Sequence, residues 1–457
     1  MNLLIYISRI LVGSLFIVSG LIKANDALGF SYKLVEYFGG KALNMTYLEP
    51  YALELAIFIC IAEIVLGLAV LVGGKSKLTA ALMMAMILFF TWLTWYTATC
   101  DPFAEITVMR DGVEMTETKE CVMECGCFGN AIPLTPWESF YKDLVLLFFI
   151  TIVFFAAFFS KKINFNTSKE DLYILPVSLL LITGFSVLML DWLFPIAFTF
   201  IIFGVYLAIK KFMPGPRAEW FTAIGAALVC GIFQYYTLVH LPLKDYRPYA
   251  IGLSVREGMM SAEDLGKQPP LNAVEYTFTN IKNAKDTIVL SSDYLEQKLY
   301  SDSSFIKKYE VKSFEGKTIE LKAGYVPPIT DFMLETFEGE DITQSVLEDR
   351  GILFLQISYD LEHSDNDYQQ EINAFAKAAQ DAGHRFFGVT ASSDQIADTW
   401  RHDHQAAYPF LRSDEKVLKT IIRANPGIVM MSDGKVINKW AACDLPDFQS
   451  LIAKHSR

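Results

Sequence analysis

The sequence lacks a surplus of positive charge. Its 39 Lys and Arg stand against 51 Asp and Glu, a net charge of −12, which argues against the basic stripe a nucleic-acid partner needs. Histidine is scarce, six in 457 residues. The one close pair, His402 and His404, is two residues apart and does not face together on a helix. No histidine-based metal ligand set is expected. No internal repeat is visible, which argues against a transporter. The first apolar run, Leu3–Ile22, is too long for a signal peptide and is not followed by a small-x-small cleavage site, so it reads as a retained anchor.

Polar residues are also missing from long stretches of the first half. A spanning helix needs roughly 20 mostly apolar residues. Seven such runs are present: Leu3–Ile22, Tyr51–Val72, Leu78–Thr99, Leu144–Phe159, Leu172–Leu190, Trp192–Ile209 and Trp220–Val239. The first 240 residues hold 15 Lys and Arg and 18 Asp and Glu. The chain beyond Leu241 reads as an ordinary acidic soluble sequence.

Three breaks between the runs are short and basic. They carry Lys75 and Lys77; Lys161, Lys162 and Lys169; and Lys210, Lys211 and Arg217. The positive-inside rule places them in the cytoplasm. The N-terminus is then cytoplasmic. Seven crossings put the loop after the third run, and everything after His240, on the outer side. The expected location is the bacterial inner membrane with a periplasmic C-terminal domain.

Thiols are few and clustered. Cys60 and Cys230 sit in apolar runs and read as inert core residues. Cys443 stands alone near the end. Cys100, Cys121, Cys125 and Cys127 share the outer loop, where an oxidising compartment favours disulfides. Four cysteines allow three complete pairings, and spacing does not choose among them. A Cys125–Cys127 bridge would close a very small ring around Gly126, tight and easily reduced. That makes Cys125 and Cys127 candidates for thiol-disulfide exchange, with Cys121 and Cys100 as resolving partners. Two permanent staples are the plainer alternative, and a thiolate zinc site is a third.

Further residues carry a resemblance. Arg9-Ile-Leu-Val-Gly13 through Ser19-Gly20-Leu-Ile-Lys23 is similar to the opening helix of the DoxX family. Ala62-Glu63-Ile-Val-Leu-Gly67 resembles that family's acidic second helix. Cys125-Gly126-Cys127-Phe128-Gly129 is similar to the MauE branch. The resemblance covers about residues 1–160 and implies a four-helix unit tied to periplasmic redox maturation of a methylamine dehydrogenase.

Charges inside the apolar runs are costly unless paired, which makes them functional candidates. Matched depth predicts two pairs, Arg9–Glu63 and Lys23–Glu54. The alternative is that Glu63, with Arg9 as its neighbour, handles protons or touches a quinone headgroup. Quinone is thus the one cofactor suggested.

Beyond residue 241 the pattern is strand-like up to about residue 340, then β-α-β-α-β-β-α from Gly351 to His455. Asp433-Gly434 marks a hairpin turn between Gly427–Ser432 and Lys435–Trp440. This order resembles thioredoxin-like domains of the membrane-anchored TlpA-like kind, with Asn425-Pro426-Gly427 at the cis-proline position. The family's paired cysteines should follow the first strand. Here that segment is Ser358-Tyr-Asp-Leu-Glu-His-Ser364, and it has no thiol, so this domain alone cannot exchange disulfides.

The expected fold class is multi-domain. An α-helical membrane bundle of seven helices comprises a four-helix unit (1–160) and three further helices (161–240). A small β-rich region (241–340) and an α/β thioredoxin-like domain (341–457) follow. Two functions compete. One is a membrane redox protein that exchanges disulfides with a periplasmic client, the thioredoxin-like domain binding the partner. The other is a non-enzymatic envelope scaffold whose loop cysteines are structural. The lipid bilayer is a partner in either case.

Overall fold

The structure is a computed structural model. It describes residues 2–455 except 102, 103, 111, 112, 123–125, 127, 161, 162, 214, 315 and 317. Cys125, Cys127, Lys161 and Lys162 therefore lie outside the described residues.

Seven described helices are long and apolar enough to cross a bilayer. They are α1 (Asn2–Asn25), α3 (Ala52–Val72), α4 (Ser76–Ala98), α5 (Pro136–Phe158), α6 (Ser168–Leu188), α7 (Phe194–Phe212) and α8 (Arg217–Val239). The protein is a multi-pass membrane protein. Helix α1 is the hub. One face packs with α3, α6, α7 and α8 around Ile17, Leu21, Ile64 and Tyr206. The other packs with α3, α4 and α5 around Val12, Phe16, Met83 and Val153.

The α1–α3 contact depends on two glycines. A Cβ on Gly13 would lie 2.8 Å from the Gly67 carbonyl oxygen, and one on Gly67 would lie 2.9 Å from the Gly13 oxygen. Small residues let membrane helices approach to backbone contact. That contact sets the antiparallel register.

The register corrects the expected charge pairs. Arg9 lies level with the end of α3, where its guanidinium donates to the carbonyls of Val70 (2.9 Å) and Leu71 (2.8 Å) and to Asn166 Oδ1 (2.7 Å). Glu63 is eight residues from Leu71, roughly 12 Å along the helix at 1.5 Å per residue. Glu63 instead binds Lys23, whose Nζ lies 2.6 and 2.9 Å from its two carboxylate oxygens. Glu54 is exposed. The matched-depth argument misjudged reach, because the flexible stem of Lys23 brings its ammonium inward from the helix end.

Between α1 and α3 lies α2 (Ala27–Phe38), an amphipathic helix capped by Asp26, which accepts from Gly29 N at 2.9 Å. It buries Phe30, Leu34, Tyr37 and Phe38. Strands β1 (Glu105–Arg110) and β2 (Val113–Thr118) form an antiparallel hairpin between α4 and α5.

The C-terminal region stands at the bundle end where α1 and α8 finish. After the one-turn helix α9 (Val255–Gly258), β3 (Leu271–Asn280) pairs with β4 (Asp286–Leu290), β5 (Tyr309–Ser313) and β6 (Thr318–Lys322). The short helices α10 (Ser291–Glu296) and α11 (Ser303–Lys308) lie among these strands. A six-stranded sheet follows in the order β12-β11-β8-β9-β10-β7. Its strands are β7 (Glu335–Thr336), β8 (Leu353–Ile357), β9 (Arg385–Thr390), β10 (Phe410–Arg412), β11 (Gly427–Ser432) and β12 (Lys435–Ala441). Helices α12 (Thr343–Leu347), α13 (Gln369–Asp381), α14 (Asp394–Asp403), α15 (Glu415–Ile421) and α16 (Phe448–His455) complete it.

Strand β8 is parallel to β9 and antiparallel to β11, and β11 forms a hairpin with β12. That is the thioredoxin-like arrangement, and the Asn425–Pro426 bond is cis as its position requires. Tyr249, Val255, Ile329, Phe332 and Leu334 join this domain's core. The stretches flanking the small sheet thus pack with the thioredoxin-like domain.

Candidate functional site between the cysteine loop and the bundle

Two of the four loop cysteines are joined: Cys100 and Cys121 form a disulfide with their Cα atoms 5.8 Å apart. The bridge closes the base of the β1–β2 hairpin. Only one of the three complete pairings contains this bridge, and its other bridge would join Cys125 to Cys127. The chain then runs along α2. Glu120 N donates to Lys41 O at 3.1 Å, and Val122 is buried with Tyr37 and Leu93. Gly126 adopts φ +70°, and its α-carbon faces the side chains of Lys33 and Phe30 of α2. Gly126 thus lies against α2.

Phe128 follows directly and enters the bundle. Its ring packs against Phe185 of α6 with centroids 5.9 Å apart, and Lys142 Nζ lies 4.9 Å from its centroid. Behind it lies a cavity of about 260 Å³ among α1, α3, α4, α5 and α6. Leu15, Phe16, Ile87, Phe90, Leu146 and Phe185 make its walls apolar, whereas Ser19, Lys23, Glu63, Lys142 and Asp143 give it polar groups. Lys23 and Glu63 are both nearly fully buried, and Lys23 also donates to Ser19 Oγ at 2.8 Å. Asp143 is buried, lies 3.1 Å from Lys142 Nζ and accepts from Thr94 Oγ1 at 3.0 Å. Buried charges persist in a membrane only when paired and hydrogen-bonded. Both pairs meet that condition.

Of the sequence candidates, Glu63 lines this cavity and Cys121 and Cys100 brace the loop above it. Arg9 lies at the other end of α1, where it ties α1 to α3 and to Asn166. Sequence reasoning missed Lys23 as the partner of Glu63, and missed Phe128, Lys142 and Asp143. Asp143 immediately precedes the fourth apolar run and reads as a loop residue. The capping box of Thr135 and Glu138, with Pro136 at the first helical position, signalled that α5 begins a full turn or more earlier.

On the loop's other side is a smaller cavity of about 70 Å³, lined by Asp26, Gly29, Lys33, Gly126, Phe128 and Arg423 among others. Here the thioredoxin-like domain meets the membrane unit. Arg423 Nε lies 2.8 Å from Asp26 Oδ1, and Tyr32 Oη donates to Tyr359 Oη at 3.1 Å. Tyr359 belongs to the segment that carries cysteines in thioredoxin-like domains, and Arg423 stands three residues before the cis-proline. This edge of the domain faces α2. Burial raises the Asp26 carboxyl, but the Arg423 and Arg247 guanidiniums outweigh it and hold the group below its usual range.

A family model described as Methylamine utilisation protein MauE matches residues 1–100. The match includes α1, α2, α3 and Cys100 and stops short of Cys125-Gly126-Cys127. No curated protein matches the chain. Among solved structures, the thioredoxin domain of a thiol-disulfide oxidoreductase from Bacteroides vulgatus is similar at 12% identity and a TM-score of 0.23, over 28% of this chain and 93% of that one. A thiol-disulfide oxidoreductase from Bacteroides fragilis gives 14%, 0.23, 28% and 95%. A bacterioferritin comigratory protein from Xanthomonas campestris gives 13%, 0.22, 28% and 92%. Residues 1–100 are thus similar to the MauE family, and the strand order of the C-terminal sheet is thioredoxin-like.

Proposed function

We propose that this is a membrane component of extracytoplasmic thiol-disulfide redox, working through Cys125 and Cys127. The carrying observation is the position of Phe128, one residue after Cys127, as a wall of the 260 Å³ cavity that holds the Lys23–Glu63 pair. In this reading the loop disulfide takes two electrons and two protons from a client dithiol, leaving the client oxidised and the loop as a dithiol. Restoring the loop disulfide needs a two-electron acceptor. A membrane quinone would supply that chemistry as the acceptor of two electrons and the two thiol protons. The apolar walls suit its tail, Ser19, Lys23 and Lys142 can donate to its carbonyl oxygens, and Glu63 and Asp143 can accept from the hydroxyls of a quinol. Lys75, Lys77, Lys169, Lys210, Lys211 and Arg217 all stand at the bundle end away from the loop, which supports a periplasmic face for the loop and C-terminal domain in a bacterial inner membrane.

The thioredoxin-like domain is non-catalytic in this proposal, and the partner on its binding edge is the protein's own α2. It braces the loop's surroundings, and a client would approach the loop from the open side. A scaffold is the second reading, favoured by the Cys100–Cys121 bridge at the hairpin base. Trapping by alkylation in cells separates the two. The redox reading expects a Cys125/Cys127 mixture that shifts with quinone supply. In a Cys127→Ser variant, Cys125 should collect a dithiothreitol-sensitive adduct that disappears when Cys125 is also Ser, since exchange passes through a mixed disulfide. Permanent full oxidation without an adduct would select the scaffold.

A further inference from the structure

We infer that His240, Cys443 and Asp444 form a divalent-metal site, with zinc as the fitting ion, that ties the last membrane helix to the thioredoxin-like domain. The inference is independent of chemistry at Cys125 and Cys127. His240 caps α8 and is held there, its N–H bonded to Tyr236 O at 2.9 Å and its ring 4.5 Å from the Tyr236 ring centroid. Cys443 and Asp444 lie in the single turn that follows β12. Segments two hundred residues apart thus bring a nitrogen, a sulfur and an oxygen together, and all three donor atoms lie within 4.8 Å of one another.

The donor geometry favours a metal over a nucleophile. His240 Nδ1 lies 2.7 Å from Asp444 Oδ1 and 4.0 Å from Cys443 Sγ. Both partners therefore address the same ring nitrogen. A Cys-His-Asp relay needs the thiol and the carboxylate on opposite nitrogens, so that the ring can pass a proton between them. A tetrahedral zinc ion places its nitrogen, oxygen and sulfur ligands at roughly 2.0–2.3 Å. Neighbouring donors then stand roughly 3.3–3.6 Å apart, a range that the two observed separations bracket. Small rotations of the side chains would open the contact to Asp444 and close the one to Cys443. The set also suits zinc chemically, since imidazole, thiolate and carboxylate are its ordinary ligands. His240 and Asp444 are 34% and 36% exposed, so water can reach a fourth position. Coordination would replace the weak contact of the thiol with Val239 O, at 3.4 Å, by a bond across the junction of the two domains.

The test uses the full chain in detergent, stripped with chelator, on a Cys125→Ser/Cys127→Ser background. Cys60 and Cys230 are buried and Cys100 is bridged to Cys121, so maleimide reports on Cys443. Stoichiometric Zn²⁺ should block labelling, and chelator should restore it. Co²⁺ should give a thiolate-to-metal absorption band that is lost in Cys443→Ser. His240→Gln and Asp444→Asn, which keep the thiol, should each lose protection at stoichiometric Zn²⁺. Protection that survives both variants, or that needs zinc on the order of millimolar, would overturn the site. So would a cobalt band unchanged by Cys443→Ser.

Discussion

At the scale of single residues, the Lys23–Glu63 pair carries the largest expected effect. Both side chains are almost fully excluded from solvent, and Lys23 Nζ lies 5.4 Å from the Phe90 ring centroid and 5.7 Å from that of Phe30. Removing one partner leaves the other charge buried and uncompensated, at a cost of about 3–5 kcal/mol. Glu63→Gln should therefore lower the detergent melting temperature sharply. The double variant Lys23→Met/Glu63→Leu should recover much of the loss, because it removes both desolvation penalties. Equal losses in the single and double variants would show that the pair contributes by shape alone. Cys100→Ala tests a different link. The bridge spans 21 residues of sequence, and loss of a disulfide typically costs about 2–5 kcal/mol. Limited proteolysis should then cut the β1–β2 hairpin in the variant and spare it in the wild type.

At the scale of elements, the α1–α3 crossing organises the bundle. Gly13 and Gly67 oppose each other, and Leu71 Cγ lies 2.5 Å from where a Gly13 Cβ would stand. Gly67→Val must push the helices apart against the Gly13 backbone. Overpacking of this kind typically costs about 1–3 kcal/mol. The variant should lose yield in membranes, and cysteines placed at positions 17 and 64 should crosslink less efficiently than in a Gly67 background. Unchanged crosslinking would mean that the crossing tolerates a wider separation. Helix α2 is the element the sequence reading passed over. Phe30, Leu34, Tyr37 and Phe38 follow helical spacing behind an Asp26 cap. Its 12 residues are too few to span a bilayer, so a search for spans sees only a break.

At the scale of the whole molecule, charge pairs tie the stretch that leaves α8 to the thioredoxin-like domain. Asp245 binds Arg247 and Lys439, at 2.7 Å in each case. Arg247 reaches Thr420 O at 2.9 Å, and Lys439 reaches Ile421 O at 2.7 Å. Burial raises the Asp245 carboxyl, but its two cationic neighbours outweigh that and bring it down to about 2. A depressed carboxyl contributes stability that is complete above its ordinary range and is lost as pH falls through about 2. The displacement corresponds to roughly 2 kcal/mol. Asp245→Asn should therefore destabilise the C-terminal unit at neutral pH, and its melting curve should converge on the wild-type curve near pH 2. Lys439 acts in the opposite sense. Burial and Arg247 lower it to about 8, so its charge is a penalty, complete below about pH 8 and relieved as pH rises toward the ordinary lysine range. A wild-type melt that stays flat between neutral and mildly alkaline pH would contradict that account.

What was legible in the sequence follows from periodicity and from chemistry carried by local order. Seven apolar runs determined the number of spans, because length and hydropathy alone satisfy a bilayer. Strand and helix order, with Asn425-Pro426, determined the thioredoxin-like fold, and the segment from Ser358 to Ser364 carries no thiol. Partner choice among distant groups was not legible. Matched depth paired Arg9 with Glu63 and Lys23 with Glu54, and neither pair forms. Only the close approach at Gly13 and Gly67, together with the reach of the lysine stem, decided that Glu63 takes Lys23 and that Arg9 caps the carbonyls of Val70 and Leu71. The same holds for the cysteines, where spacing allows three pairings and the tertiary structure joins Cys100 to Cys121. The union of Tyr359 and Arg423 with α2 depends on how two separately folded units meet. Such a contact leaves no periodic trace in either unit, because each contributes only isolated side chains to it.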